Sequence, residues 1–340
     1  MSELDSSLGK HVDDAMRMFE RSHVGPANLI NATRPSKVLV ALDGSPQDEA
    51  SLAAAAYLAT ATRTETVIVD ARVSDRELPD ILESAAAEVS GARPISVPAR
   101  PPENASGGDD PAAEAVADDP PYDRILRTVA QQRPSLLIVP SPFGRDFDSI
   151  GTDSIGTVLD VLLRRCRIPM LVIRDPARLL PDAIQRIAMV IGMECDVNGR
   201  AAEWAFGMAV PENDAVQHRS GVFSLHLVIE KEQLENFRAL LGVISPDQEI
   251  TPDLVQRALA KTHETLTGAI AQTASQHGLE YRLMLQTGIE APPKFNDPDD
   301  PALLVLPLEV DDNFGQGFVS HRIRSSPYPV VIVPGHVKED

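Results

Sequence analysis

Short β-branched runs alternate with alanine-rich stretches of helical length along most of this chain. In the first half, strand-like runs fall at residues 38–42, 66–73, 94–98, 136–140 and 170–174. Helical patterns lie between them near 47–62, 76–90, 122–133 and 155–166. The second half repeats the alternation, with strands at 187–191, 222–229, 281–286, 303–307 and 330–334 and helices near 199–210, 252–277 and 314–324. Apolar runs of this length, separated by helices, predict parallel sheets covered on both faces.

Two echoes make the second half a repeat of the first. "LLIVP" (136–140) is matched by "LLVLP" (303–307), and "RIPMLVIR" (167–174) by "PYPVVIVP" (327–334), with Pro169 and Pro329 each just before a buried strand. A tandem duplication follows, with its join near residues 175–182. The expected organisation is an N-terminal arm (1–36), a first domain (37–178) and a second domain (185–335). In the arm, Leu8, Val12, Met16 and Phe19 could line one helical face, which suits a helix docked on its own domain. Residues 99–121 are rich in Pro, Ala and acids and cannot build a core, so a surface insertion is expected there.

Composition narrows the function. A net charge of −19 argues against binding nucleic acid or an anionic membrane through bulk electrostatics. Two cysteines, Cys166 and Cys195, form neither a disulfide framework nor a metal spacing. No apolar run has transmembrane length and the polar N-terminus does not read as a signal peptide, so a cytoplasmic protein is expected. Enzyme chemistry finds little support. There is no G-x-x-x-x-G-K-[ST], and none of the eight histidines forms an H-x-x-H or H-x-x-x-H pair.

The candidate chemistry sits where strands end, because ligands of open parallel sheets bind beyond the C-terminal strand ends. Asp43 follows the first strand in "KVLVALDGSPQDEASLAAAA". It could cap the next helix or meet a ligand. Ser45 is the better cap, with Pro46 at the first helical position and Asp48 three residues after Ser45. That leaves Asp43 to accept hydrogen bonds from a ligand's hydroxyls or amine. After the fourth strand, "PSPFGRDFDSIGTDSIGTVLDVLL" places Gly144, Gly151 and Gly156 among small hydroxyl residues ahead of a helix. Such a turn brings backbone amides and a positive helix end together, which suits phosphate.

Together, the strand–Asp-Gly-Ser–helix opening, the glycine loop and the helix–x–Pro–strand ending resemble the universal stress protein family. The resemblance covers nearly all of 37–175 and, more loosely, 185–335. It implies two tandem, mostly parallel, five-stranded open-sheet α/β domains of the adenine-nucleotide alpha-hydrolase-like type. It also implies ATP or another adenine nucleotide as ligand, with Mg accompanying ATP. The family loop reads Gly-x-x-Gly, nine residues, then Gly-Ser or Gly-Thr. Gly156 and Thr157 match the closing pair and Gly144 the second glycine. Ser141 replaces the first, and eleven residues separate Gly144 from Gly156. Asp43 matches the acid that holds the adenosine part, while Ala41, Leu42 and Ala71 would line the adenine slot. Pro140, Ser141, Gly144, Gly156, Thr157 and Val158 complete the implied nucleotide set.

The second half departs from that pattern. Gly192 replaces the strand-end acid, and Gln316 and Gly317 stand where Gly-Ser is expected. Glu309, Asp311 and Asp312 place negative charge against phosphate. His226 reads as a core histidine. The expectation is a nucleotide-responsive regulatory or stress-response protein that is not an enzyme, with slow ATP hydrolysis left open. It would bind at most one nucleotide per chain, and its second domain would be a pseudo-domain. The rival reading is a ligand-free scaffold recruiting an unidentified protein partner. The last strands, 170–174 and 330–334, are expected to pair as an intramolecular pseudo-dimer, leaving other surfaces for further homodimerisation.

Overall fold

The computed structural model describes residues 29–72, 87, 89, 91–95, 119–150, 153–192, 197–210, 221–244, 251–289, 301–309 and 313–335. The helical face of the arm, nearly all of the 76–90 helix, residues 99–118, Gly151, Cys195, Asp311 and Asp312 lie outside them. In chain order the elements begin β1 (Lys37–Leu42), α1 (Gln47–Thr62), β2 (Glu65–Asp70), β3 (Arg93–Ile95), α2 (Pro121–Gln132) and β4 (Leu136–Pro140). Then come α3 (Phe147–Ile150), α4 (Thr157–Arg165), β5 (Met170–Ile173), α5 (Leu180–Ala183) and β6 (Arg186–Ile191). The chain continues through α6 (Asn198–Ala209), β7 (Val222–Glu230), α7 (Lys231–Ile244), α8 (Pro252–Thr262) and α9 (Glu264–Gln276). It ends with β8 (Glu280–Ile289), β9 (Leu303–Leu308), α10 (Asn313–Ser325) and β10 (Val330–Pro334).

β1 illustrates why these runs become strands. Leu39 and Ala41 point into one core while Val38, Val40 and Leu42 point into the other, all at most 1% exposed. A strand buried on both faces needs an apolar residue at nearly every position. Both cores run through the two halves of the chain: one joins Val38 and Leu58 to Phe206 and Val333, the other Leu39 and Leu159 to Val190 and Ile323.

The expected pair of five-stranded sheets is in fact one continuous ten-stranded sheet, ordered β3-β2-β1-β4-β5-β10-β9-β6-β7-β8. Each half contributes five strands in the same relative order. The junction is antiparallel, with Val330 opposite Val172 and Ile332 opposite Met170. Within each half all pairings are parallel. The junction therefore reverses the rims: the rim where β1, β4 and β5 end is the rim where β10, β9 and β6 begin.

Two expectations about elements change. The stretch 252–277 is two helices rather than one, broken at His263 with φ −100° and ψ 12°. α7 had no counterpart in the pattern. The expected docking of the arm helix lies outside the described residues, and residues 29–36 touch both halves: Ile30 N–H donates to Thr273 Oγ1 (2.9 Å), Thr33 N–H to the Glu203 carbonyl (2.9 Å) and Arg34 Nε to the Val210 carbonyl (3.1 Å), while Ser36 N–H donates to Ser135 Oγ (2.9 Å). A side chain at Gly207 would place its Cβ 1.7 Å from the Thr33 carbonyl oxygen, so this crossing requires glycine.

Candidate functional site

Where β1 ends, the chain turns through Asp43, Gly44 and Ser45 into α1. Gly44 takes φ +78°, a conformation that suits glycine. The expected Ser45 cap does not form. Pro46 occupies the N-cap position, no side chain caps it, and the buried Ser45 Oγ makes no hydrogen bond. Asp48 holds the turn from one helical turn ahead. Its Oδ1 accepts from Asp43 N–H (3.0 Å) and its Oδ2 from Gly44 N–H (2.8 Å). Its two oxygens each take one amide, so a single side chain fixes both N–H groups of the turn.

Asp43 is 3% exposed, and its carboxylate is engaged within the protein. Oδ1 accepts from Ser45 N–H (2.8 Å) and Oδ2 from Gly144 N–H (2.6 Å). The second bond ties the end of β1 to the glycine loop after β4. Burial and the neighbouring Asp43 charge push the Asp48 carboxyl up to about 7. Beside them Asp70, which ends β2, holds Arg72 through Nε (3.0 and 3.1 Å) and a terminal nitrogen (2.5 Å). Arg72 lies across Gly44, where any Cβ would meet its guanidinium nitrogen at 2.5 Å.

The glycine loop is fastened at both ends. Ser141, fully buried, donates through Oγ to the Ile155 carbonyl (2.8 Å), and its N–H donates to the Ile173 carbonyl (2.8 Å). Gly144 has φ +69°. Gly156, at φ +80°, is the N-cap of α4, and its N–H donates to Ser154 Oγ (3.0 Å). Thr157 is exposed and Val158 is buried beneath it. The first amides of α4 have no acceptor within the helix, as at any helix start. Gln47 Nε2 donates to the Arg145 carbonyl (2.9 Å), a second tie between α1 and the loop.

Of the sequence candidates, Asp43, Ser141, Gly144, Gly156 and Thr157 meet around this loop. Pro140 is the buried last residue of β4. Ala41 and Ala71 are fully buried in one core and Leu42 almost fully buried in the other, so the three do not share one face as a single slot would need; Ala71 N–H donates to the Leu42 carbonyl (3.0 Å). Sequence reasoning missed Asp48, Arg72 and Arg174. Arg174, buried just after β5, donates to the Ile323 carbonyl of α10 (2.5 Å) and the Ser154 carbonyl of the loop (3.3 Å), and stacks 5.1 Å from the Phe147 ring centre. Burial, and then the nearby Arg324, lower its pKa to about 10. The visible signal was an arginine closing the otherwise apolar "MLVIR".

The second half has a different arrangement. Gly192 follows β6, and a Cβ there would meet nothing within 4 Å among the described residues. Its carbonyl accepts a hydrogen bond from the buried His263. α10 begins at Asn313, five residues past the end of β9, and Gln316 lies buried within it. His226 sits mid-strand and 9% exposed, with its pKa lowered to about 4 by burial and then by Arg322.

With this geometry in place, comparison with known proteins decides the first half. Residues 35–174 match the Universal stress protein family. Those residues form a universal stress protein domain. Among solved structures, a universal stress protein from Archaeoglobus fulgidus DSM 4304 matches with TM-score 0.52 and 14% identity. That match covers 89% of this chain and 97% of the archaeal one. At this identity the likeness concerns the fold, and it reaches past the universal stress protein domain into the second half. The hypothetical protein MJ0577 aligns with TM-score 0.31 and 9% identity over 45% of this chain and 98% of its own. No curated protein matches. No helix among the described residues is long and apolar enough to cross a membrane.

Proposed function

We propose that the chain is a nucleotide-responsive regulatory protein, cytoplasmic and not an enzyme, that takes one adenine nucleotide in its first half. The observation that supports this is the Asp43–Gly144 hydrogen bond, which joins the end of β1 to a glycine loop leading into the start of α4. A carboxylate has about four acceptor positions, and two amides occupy only part of that capacity. A ribose hydroxyl can share or replace the Gly144 amide. The freed Gly144 amide, with those of Gly156 and Thr157, then faces a phosphate at the positive end of α4. Among the described residues no group of three or more His, Cys, Asp or Glu is set to hold a metal, so Mg would arrive with the phosphates of ATP. The second half acts as a pseudo-domain that covers the last strand of the first, making an intramolecular pseudo-dimer.

A second reading is favoured by a specific observation. In this conformation the amides of Gly144 and Gly156 already have acceptors, Asp43 and Ser154. A loop so closed suits a ligand-free scaffold that recruits a protein partner. Calorimetric titration with ATP, ADP, AMP and cyclic AMP separates the two. One site per chain, lost in Asp43→Asn, is the expected result. No binding of any nucleotide returns the scaffold reading, and two equivalent sites overturn the pseudo-domain.

A further inference from the structure

The reversed junction has a consequence for the second half. The rim that carries Asp43 in the first half carries the starts of β6, β7 and β9 in the second. At those starts, under the linker and α5, lies a groove of about 490 Å3 whose lining includes Arg178, Leu179, Asp182, Arg186, Val222 and Tyr328. None of the residues lining the groove belongs to the glycine loop or to the turn after β1.

The corresponding place in the first half is closed. Ser135, just before β4, accepts from the N–H groups of Ser36 (2.9 Å) and Lys37 (3.1 Å) and donates to the Lys37 carbonyl (3.0 Å). Before β9 the same position is Ala302, preceded by Pro301, which lines the groove. The stitch is missing, and the rim opens there.

Its chemistry is amphipathic. Arg178 comes from the linker, 5.3 Å from the Tyr328 ring centre and 3.6 Å from Asp175. Arg186 comes from the start of β6, where burial and then the adjacent Arg282 lower its pKa while Glu280 raises it. Asp182 is the one acid in the described lining. Leu179, 36% exposed, and Val222 supply apolar surface. Guanidinium groups suit carboxylate and phosphate oxygens, and the volume falls in the range of small-molecule sites.

We propose that this groove binds a small organic anion, its carboxylate or phosphate between Arg178 and Arg186 and its apolar body against Leu179 and Val222. The site is independent of the nucleotide reading. The test uses the full chain with benzoate, phenyl phosphate and the neutral benzamide as probes, titrated by calorimetry and followed by NMR shifts at Leu179 and Val222. At least one anion saturates a single site, and benzamide binds about tenfold more weakly or worse. Which anion binds more tightly distinguishes a carboxylate from a phosphate ligand. Arg186→Gln and Arg178→Gln each weaken the anion about tenfold. Asp182→Asn strengthens it, which keeps the test decisive if an arginine variant fails to fold, and Asp43→Asn leaves it unchanged. The proposal is overturned if neither anion saturates below about 10 mM. It is equally overturned if benzamide binds as well as the anions, or if the Arg178, Arg186 and Asp182 variants bind like the parent chain.

Discussion

The ends of β1 and β6 are the same place in two copies of one strand order, yet they hold different chemistry. At β1, a buried aspartate gathers the amides of Ser45 and Gly144 and is itself backed by Asp48. At β6, a glycine carbonyl takes a histidine, and α10 begins before any glycine loop can form. The cores beneath are equivalent, with Val40 and Met189 both fully buried in the same core. Packing therefore preserves a fold without preserving a site. A site needs particular polar atoms at particular turns, and those can be exchanged while the apolar strand below them stays.

The largest effect should come from breaking what the two halves share. Leu39 is fully buried in a core that also holds Val190 and Ile323 of the second half. Leu39→Ala should cost about 2–5 kcal/mol. The single tryptophan, Trp204, lies buried in α6 of the second half and reports from that half. Its fluorescence midpoint in urea should drop with the first-half substitution, because one sheet and two shared cores unfold together. An unmoved Trp204 midpoint would make the halves independent. Residues 37–178 expressed alone should accordingly dimerise or precipitate, since β5 loses its partner β10.

Next in size is the contrast between the strand ends themselves. Asp43→Asn turns one acceptor oxygen into a donor facing either Ser45 N–H or Gly144 N–H. That should destabilise by about 1–3 kcal/mol and weaken any nucleotide by more than about tenfold. The reciprocal Gly192→Asp has open space for its side chain among the described residues. It should fold normally and leave the stoichiometry at one, because an acid without the loop makes no site. A second nucleotide in Gly192→Asp would show that the acid alone had been missing.

Strand positions were legible because doubly buried strands demand continuous apolar runs, and a repeated pattern fixes which runs correspond; their order in the sheet was not read from the sequence. The pairing of the two proline-preceded last strands was read from the sequence, but its antiparallel sense was not. The break at His263 was not, since "LAKTHETLTGAI" carries neither proline nor glycine until Gly268. At the site, the glycines and Asp43 could be read from spacing. Their partners could not: Ser45 matched a capping pattern, yet Asp48 reaches back to the same turn with two oxygens. Arg174 acts across 149 residues on Ile323, a contact that no local pattern encodes.

Two buried groups should give the halves opposite responses to acid. The folded state raises Asp48 from 3.8 to about 7, by burial and then by Asp43, so it favours the protonated form. That contribution is complete below about pH 4 and is lost as pH rises through about 7. His226 is lowered from 6.5 to about 4, by burial and then by Arg322. Its contribution is complete above about pH 6.5 and is lost as pH falls through about 4. In the parent chain the two oppose each other across that window. Urea midpoints from about pH 4.5 to 7.5 should rise more steeply with pH in Asp48→Asn and fall more steeply in His226→Gln. Parallel profiles for the parent and both variants would show that neither group titrates there.

The smallest effect concerns the opposite strand ends, where Ser135 and Ala302 correspond. Val38 faces Leu136 in one half as Ile187 faces Leu303 in the other, so a hydroxyl at 302 would stand by Arg186 as Ser135 stands by Lys37. Ser135→Ala removes an oxygen that accepts two amides and donates to a carbonyl, and should cost about 1–2 kcal/mol. Ala302 is fully buried, so a serine there is tolerated only if its hydroxyl finds backbone partners. If the two rims share a backbone, Ala302→Ser finds them and stabilises by about 0.5–1 kcal/mol. It should also narrow the groove, weakening the anions without changing nucleotide binding. A loss of more than about 1 kcal/mol would mean that the hydroxyl is buried without partners. In that case the groove opens because the rim's backbone has diverged, and a missing serine is not its cause.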